Sequence, residues 1–390
     1  LGVKTRLSAF LFAIGFAYQH LIDKSNFLNH YYLIFLLCII LALIPIPDTK
    51  KITKVMRIPR WALWLVRFQL GVVYTFGAIA KMRPDWVFEA MPLKIWLLMN
   101  RDMPVIGEIL VWNITPYFFS YAGLVFDLFI FPFLLIPKTR KFAYSIVLFF
   151  HIITFLLFPI GMFPWVMVFL TPVCFSNRFH YRFIIIMRKL IFVKRDRESQ
   201  SQRRFKEFIS KVFDRKLIPY TIFKSSNIPK SSVTLWLCGK SISANFYLAI
   251  FFCILQVLLP FRHFLFPGNL LWTEEGFRFS WHIMAAHKSG LVSFFVKEEG
   301  KERIPVSYNR ILTQRQLGQM TTDPAMIWQF ANFIYKEEEK KGRKSFGIYA
   351  EAYVSLNGKP ATLMIDPNVD LHSVSYDYFN PTKWILELNK

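Results

Sequence analysis

Three polar side chains stand inside otherwise apolar stretches of this sequence, where such groups are costly and need a reason to persist. Lys81 closes a long apolar run within Gly77-Ala-Ile-Ala-Lys-Met-Arg-Pro-Asp-Trp86. Two readings compete. A Lys at a helix end can send its ammonium to the interface along an apolar stem. Alternatively, apolar walls that strip water from the amine leave it unprotonated and able to act as a base. Asp127 and His151 fall in two further runs at similar depth, about 15 Å from the same end at 1.5 Å per residue. They form either a reactive Asp–His pair or a tie between two helices. His30, preceded by Asn29, opens another run after Asp23-Lys-Ser-Asn-Phe-Leu. Alone it is an interfacial anchor, but His30, Lys81 and the Pro159-Ile-Gly-Met-Phe-Pro164 turn meet at one level. No GxGxxG, Walker loop, HExxH or CxxC occurs, and the eight His are scattered, so no metal site is expected. Cys38, Cys174 and Cys253 lie in apolar runs and Cys238 in a basic stretch, which does not suggest thiolate catalysis.

The elements that must position these groups are membrane helices. Of the 390 residues, 54% are hydrophobic and only 19% charged, with a mean hydropathy of +0.34. That excludes disorder, a collagen-like repeat and a disulfide-rich scaffold; a net charge of +23 would suit a nucleic-acid binder, but the hydropathy disfavours that partner. Apolar runs at about 5–22, 31–47, 61–82, 117–136, 142–158, 164–176 and 244–261 predict about seven spans, most of roughly the length a bilayer needs. The 164–176 run is short and holds Pro164 and Pro172, so a tilted, broken or re-entrant segment is expected there. Position 1 is Leu, so we expect chain before it, further helices included.

Charge orients them. Lys50, Lys51, Lys54, Arg57 and Arg60 follow the second run, Lys138, Arg140 and Lys141 follow the fourth, and residues 178–230 carry a net +11. These alternate loops fall on one side, which the positive-inside rule makes cytoplasmic. By parity the segment from 262 lies outside. The expected organisation is a transmembrane bundle over 1–177, a basic cytoplasmic loop over 178–243, a last transmembrane helix over 244–261 and a small extracytoplasmic α+β domain over 262–390. Within the basic loop, Phe205, Phe208, Ile209, Val212 and Phe213 predict an amphipathic helix lying on membrane lipid. In the last domain, strands are predicted at Leu291–Val296, Ile304–Tyr308, Phe346–Leu356 and Ala361–Ile365, the last two joined by Asn357-Gly358. A helix over Ala325–Lys340 presents Trp328, Phe330, Phe333 and Ile334 on one side.

Several strings resemble a known family. DKSNFLNHYYL (23–33), GAIAKMRPDWV (77–87), FDL (126–128), FHIITFLLFPIGMFPWVM (150–167), LLWTEEGFRFSWHIMAAHKSG (270–290), LTQRQ (312–316) and IDPNVDL (365–371) are similar, in order, to vitamin K-dependent gamma-glutamyl carboxylase and its bacterial HTTM-domain relatives. The resemblance implies a membrane enzyme in which an amine deprotonates reduced vitamin K or menaquinol and oxygen adds to give a strong base. That base takes a γ-proton from a peptide Glu, CO2 is captured, and the quinone leaves as its epoxide. Carried over residue by residue, it makes Lys81 the base and Asn29 and His30 its partners. It puts Asp127, His151, Trp281, His282 and His287 in a quinone or substrate pocket, and it implies a bacterial inner membrane. Three departures cluster where the peptide should bind. Ala80 stands where the animal enzyme has a second Lys, His287 is one position late, and Val306-Ser-Tyr-Asn-Arg310 replaces a glycine-containing loop. Two alternatives therefore stay open: a quinone epoxidase that does not carboxylate protein, and a non-catalytic membrane scaffold.

Overall fold

The computed structural model describes residues 4–45, 58–192, 244–308 and 311–388. The predicted amphipathic helix, Cys238 and most of the basic cluster after the second run lie outside these residues. In chain order the elements are helices α1 (Thr5–Ile22), α2 (Asn29–Leu43), α3 (Arg60–Lys81), α4 (Pro84–Val87), α5 (Leu93–Leu98), α6 (Gly107–Leu110), α7 (Thr115–Leu135), α8 (Arg140–Leu157), α9 (Phe163–Leu170), α10 (Asn177–Phe192), α11 (Ala244–Leu258) and α12 (Leu270–Thr273). Then follow β1 (Lys288–Glu298), β2 (Ile304–Val306), α13 (Gln314–Met320), α14 (Pro324–Lys340), β3 (Phe346–Leu356) and β4 (Thr362–Leu363).

Among the described residues, four helices are long and apolar enough to cross a membrane: α3, α7, α8 and the stretch Ala244–Leu265. This is fewer than the seven expected, and prolines account for two of the differences. Ile44 is extended before Pro45, which stops α2 at 15 residues. Pro164 opens α9, and at Pro172 the helix tightens into a 3-10 turn. α1 is long enough, but Arg6, Gln19 and His20, with Thr5 and Ser8, dilute its apolar character.

Small residues let α3 and α7 approach closely, the usual device where helices have no hydrophobic driving force between them. A Cβ on Gly71 would lie 2.5 Å from the Phe131 ring, and one on Gly77 would lie 3.2 Å from an Asp127 carboxylate oxygen. One apolar core runs through the helices (Leu33, Leu70, Val73, Phe126, Ile130, Met167). A second fills the sheet domain (Val292, Phe294, Ile327, Phe330, Ile348, Ala352). Trp86, Leu93, Leu97, Leu157 and Phe158 make a third between them, with Met284 packed against it.

The sheet has order β2-β1-β3-β4, all antiparallel, with Val292 opposite Ala352 and Phe294 opposite Ala350. Alternating burial along β1 and β3 puts these side chains on the α14 face. The predicted strands are found, the last one as Thr362–Leu363, beyond which the Met364 N–H still donates to the Ala352 carbonyl at 2.8 Å and Ile365 bridges to Ile385. α14 departs from its expected face. Phe333 is 40% exposed, and Ile327 and Ala331 complete the buried stripe. Trp328 and Phe330 are about 200° apart around a helix and cannot share one narrow face. The Asn357-Gly358 turn has positive φ at both residues, as such a turn requires. It also docks the sheet on the helices, because Asn357 donates to Asp85 at 2.6 Å and accepts from the His287 N–H at 2.8 Å.

Candidate functional site

α3 carries Lys81 to its last residue and α7 carries Asp127 at mid-length, and the close approach at Gly71 and Gly77 sets them side by side. Lys81 Nζ donates to Asp127 Oδ2 at 2.7 Å and to the Gly77 carbonyl at 3.2 Å. The Lys81 residue is 7% exposed, with its amine 5.5 Å from the centre of the Trp86 ring. Trp86 is itself fixed, donating from Nε1 to the Ser120 carbonyl at 3.0 Å. The expected Asp127–His151 pair is not made. Rotation about α7 turns the carboxylate to α3, and His151 Nε2 instead meets the Tyr74 hydroxyl at 3.3 Å. His151 Nδ1 is buried without a protein partner.

Lys81, Asp127, Tyr74 and His151 all line one cavity, walled otherwise by apolar and aromatic groups such as Val73, Phe119, Phe150 and Phe163. Its space between protein atoms, mouth included, is about 680 Å³. Ile283 and Met284, from the stretch after α12, close one side of it. His30 and Asn29 are not in its wall. His30 stands behind it, with ring atoms 3.6 and 3.7 Å from where a Gly161 Cβ would be and its ring 6.4 Å from that of Phe163. Trp281 is also displaced from the expected pocket, buried in the helical core against Tyr32 at 5.1 Å between ring centres. Tyr74 and Trp86 escaped the sequence reading. Tyr74 lies seven residues before Lys81, two turns along the same face, and that spacing was the available signal.

Two family models cover most of the chain: the HTTM domain matches residues 1–179, and the lumenal domain of vitamin K-dependent gamma-carboxylase matches residues 242–390. The chain belongs to the vitamin K-dependent gamma-carboxylase family. No solved structure matches it. Membership in the gamma-carboxylase family implies a vitamin K cofactor. The Lys81 cavity suits the head of such a group in its chemistry: flat apolar walls, one amine–carboxylate pair and one unpartnered imidazole nitrogen.

This gamma-carboxylase-family chain has a second, open cavity beside the first, about 1120 Å³ with the solvent space at its mouth included, and Phe158, Ile160 and Met284 line both. His282 and His287 lie in this second space, so the residues expected in one pocket are divided between two. His287 Nδ1 accepts from Trp96 Nε1 at 3.1 Å, and His282 Nδ1 is 2.8 Å from Ser280 Oγ. The stretch supplying them is strained. Glu274, Phe279, Trp281 and Met284 have φ values of 58°, 68°, 59° and 55°, a conformation that costs non-Gly residues about 1–3 kcal/mol each and persists only where surroundings enforce it. Among the described residues, no group of three or more His, Cys, Asp or Glu could hold a metal ion.

Burial, aided by the nearby His263 and Arg83, holds the His282 imidazole far below its ordinary 6.5, at about 3. The folded protein therefore keeps it neutral while an unfolded chain protonates it, so stability falls as pH drops from about 6.5 towards 3. His282→Asn should flatten that acid slope. Unfolding midpoints in detergent at pH 7.5 and 5 test this, and an unchanged slope in the variant would exclude His282 as its source.

Proposed function

We propose that this chain is a membrane enzyme that oxygenates reduced vitamin K or menaquinol with O2 and uses the resulting base to carboxylate glutamate side chains with CO2. The observation that carries the reading is the Lys81–Asp127 pair in the wall of an apolar cavity. When bound, the hydroquinone supplies oxygen-driven chemistry that yields a base stronger than any side chain. Everything else asked of the site belongs to the protein. Lys81 and Asp127 share a proton along one hydrogen bond, and moving it to the carboxylate frees the amine to accept another from a hydroxyl. Val73, Phe119, Phe150 and Phe163 keep water away, which preserves a strong base and strengthens each electrostatic contact. Tyr74 sets the His151 ring, whose Nδ1 is free to hold a second oxygen. His30 supports the Gly161–Phe163 turn from behind rather than touching the reacting group, and Asn29 lies outside the cavity wall. The charge asymmetry of the loops supports a multi-pass arrangement, with the sheet domain and the mouth of the site outside the cytoplasm.

A second reading keeps quinol oxygenation without protein carboxylation. It is favoured by the second cavity, whose lining includes no Lys or Arg to receive an acceptor carboxylate. The test incubates purified protein in detergent or lipid with reduced vitamin K, oxygen, labelled CO2 and a Glu-rich peptide. The first reading requires epoxide and fixed label together. Epoxide alone selects the second, and folded protein that makes no epoxide defeats both.

A further inference from the structure

One buried carboxylate has no part in this chemistry. Asp323 stands at the N-terminus of α14 with its side chain 2% exposed. Its Oδ1 accepts from the Met326 N–H at 3.2 Å, the ordinary work of a helix cap, which an uncharged Asn or Ser performs as well. The carboxylate does more than cap. Oδ1 also accepts from Lys24 Nζ at 2.8 Å, and Oδ2 accepts from Arg278 Nη2 at 2.9 Å. The two cations come from separate stretches of chain. Lys24 lies in the turn between α1 and α2, just before Asn29 and His30. Arg278 lies in the strained stretch that leads to Ile283 and Met284 at the cavity.

The contacts around Asp323 draw the same two stretches together. The Arg278 guanidinium donates to the Lys24 carbonyl at 3.4 Å and lies 5.0 Å from the centre of the Phe27 ring. From α13, Arg315 donates to the Ser25 carbonyl at 3.2 Å and Gln316 to Asp23 at 2.9 Å. Buried and paired twice, the carboxylate cannot lose its charge without leaving two cations short of their partner. Positive φ at Phe279, Trp281 and Met284 is conformation that must be imposed from outside the stretch, and Arg278 is its anchor immediately upstream.

We propose that Asp323 is a positioning residue for the Lys81 cavity: it locks the α1–α2 turn and the 274–284 stretch to the sheet domain, fixing His30 behind the cavity and Ile283 and Met284 over it. The inference rests on the Lys81 cavity being the reaction site, but the lock itself is measurable without turnover. The experiment is hydrogen exchange with mass spectrometry on the full chain in detergent, comparing wild type with Asp323→Asn, Lys24→Met and Arg278→Met. Asp323→Asn keeps a capping oxygen and the side-chain shape. It should raise amide exchange about tenfold in both 23–33 and 274–284 while α3 and α7 hold their protection. Lys24→Met should loosen the first stretch far more than the second, and Arg278→Met the reverse. In the epoxide assay, Asp323→Asn should lower kcat on the order of tenfold to a hundredfold through misplaced groups, with the KM for reduced vitamin K unchanged because α3, α7 and α8 still wall the cavity.

Wild-type exchange in both stretches of Asp323→Asn would overturn the lock. A uniform rise through α14 and the sheet would reduce Asp323 to a cap and overturn it equally. Loosened stretches with full turnover would overturn the positioning role. Should wild type make no epoxide, the reaction-site reading falls, and the exchange pattern alone decides whether Asp323 fixes the two stretches.

Discussion

Lys81→Arg and Lys81→Ala should each lower epoxide formation from reduced vitamin K by about 10²–10⁴-fold at neutral pH, the range lost with a general base. The Arg variant is the sharper of the two. A guanidinium keeps its positive charge at any pH a protein survives, so it can still pair with Asp127 while being unable to accept a proton. Folding and chemistry are thereby separated. If Lys81 serves only as a structural cation, Lys81→Arg keeps most of its activity. If it is the base, the variant folds and is inert. Initial rates of epoxide formation, with the unfolding midpoint of each variant measured alongside, decide the matter. Retention of the wild-type rate in Lys81→Ala would remove this residue from the chemistry altogether.

The largest stability effect is expected at Asp127. Removing one member of a buried ion pair strands the other, at a cost of about 3–5 kcal/mol, whereas removing both is often close to neutral. Asp127→Ala should therefore unfold at markedly lower temperature than wild type. The double variant Asp127→Ala, Lys81→Met should recover much of that loss while remaining inactive. A thermal unfolding series over wild type, the two single variants and the double variant measures the coupling directly. Simple addition of the two single costs would mean that the 2.7 Å contact carries no net interaction.

The sequence made some of this legible and hid the rest for identifiable reasons. Lys81, Asp127 and His151 were visible because a polar group in an apolar run stands out, but counting along the runs placed only Asp127 and His151 at a common depth and left Lys81 at the end of its run, level with His30. Which of them would pair was hidden. Depth follows from residue number, but partner choice depends on rotation about each helix, and here glycines at 71 and 77 bring α3 against the carboxylate. The sheet was readable from two-residue alternation in β1 and β3 and from Asn357-Gly358. The stretch from Glu274 to Met284 was not. Its path between the helices depends on left-handed backbone at Glu, Phe, Trp and Met, residue types that give no hint of that conformation. The same opacity explains why Trp281 was expected in a pocket and lies in the core. It also explains why His282 and His287 were grouped with His151, although Phe158, Ile160 and Met284 stand between the two spaces.

The division of the Lys81 cavity between distant parts of the chain has a consequence for biosynthesis. Its amine, carboxylate and imidazole are all supplied by residues 60–157, but Ile283 and Met284 are synthesised about two hundred residues after Lys81. At translation rates of roughly 5–20 residues per second, that leaves an interval of about 10–40 s. During that time the amine is in place and the cavity is open on one side. Asp323 and the sheet that holds those two residues over it come later still. A nascent chain thus carries the amine well before Ile283 and Met284 complete the cavity wall. On the proposed reading, activity should appear only after the ribosome has passed the sheet domain, since Ile283 and Met284 take their place over the amine with it.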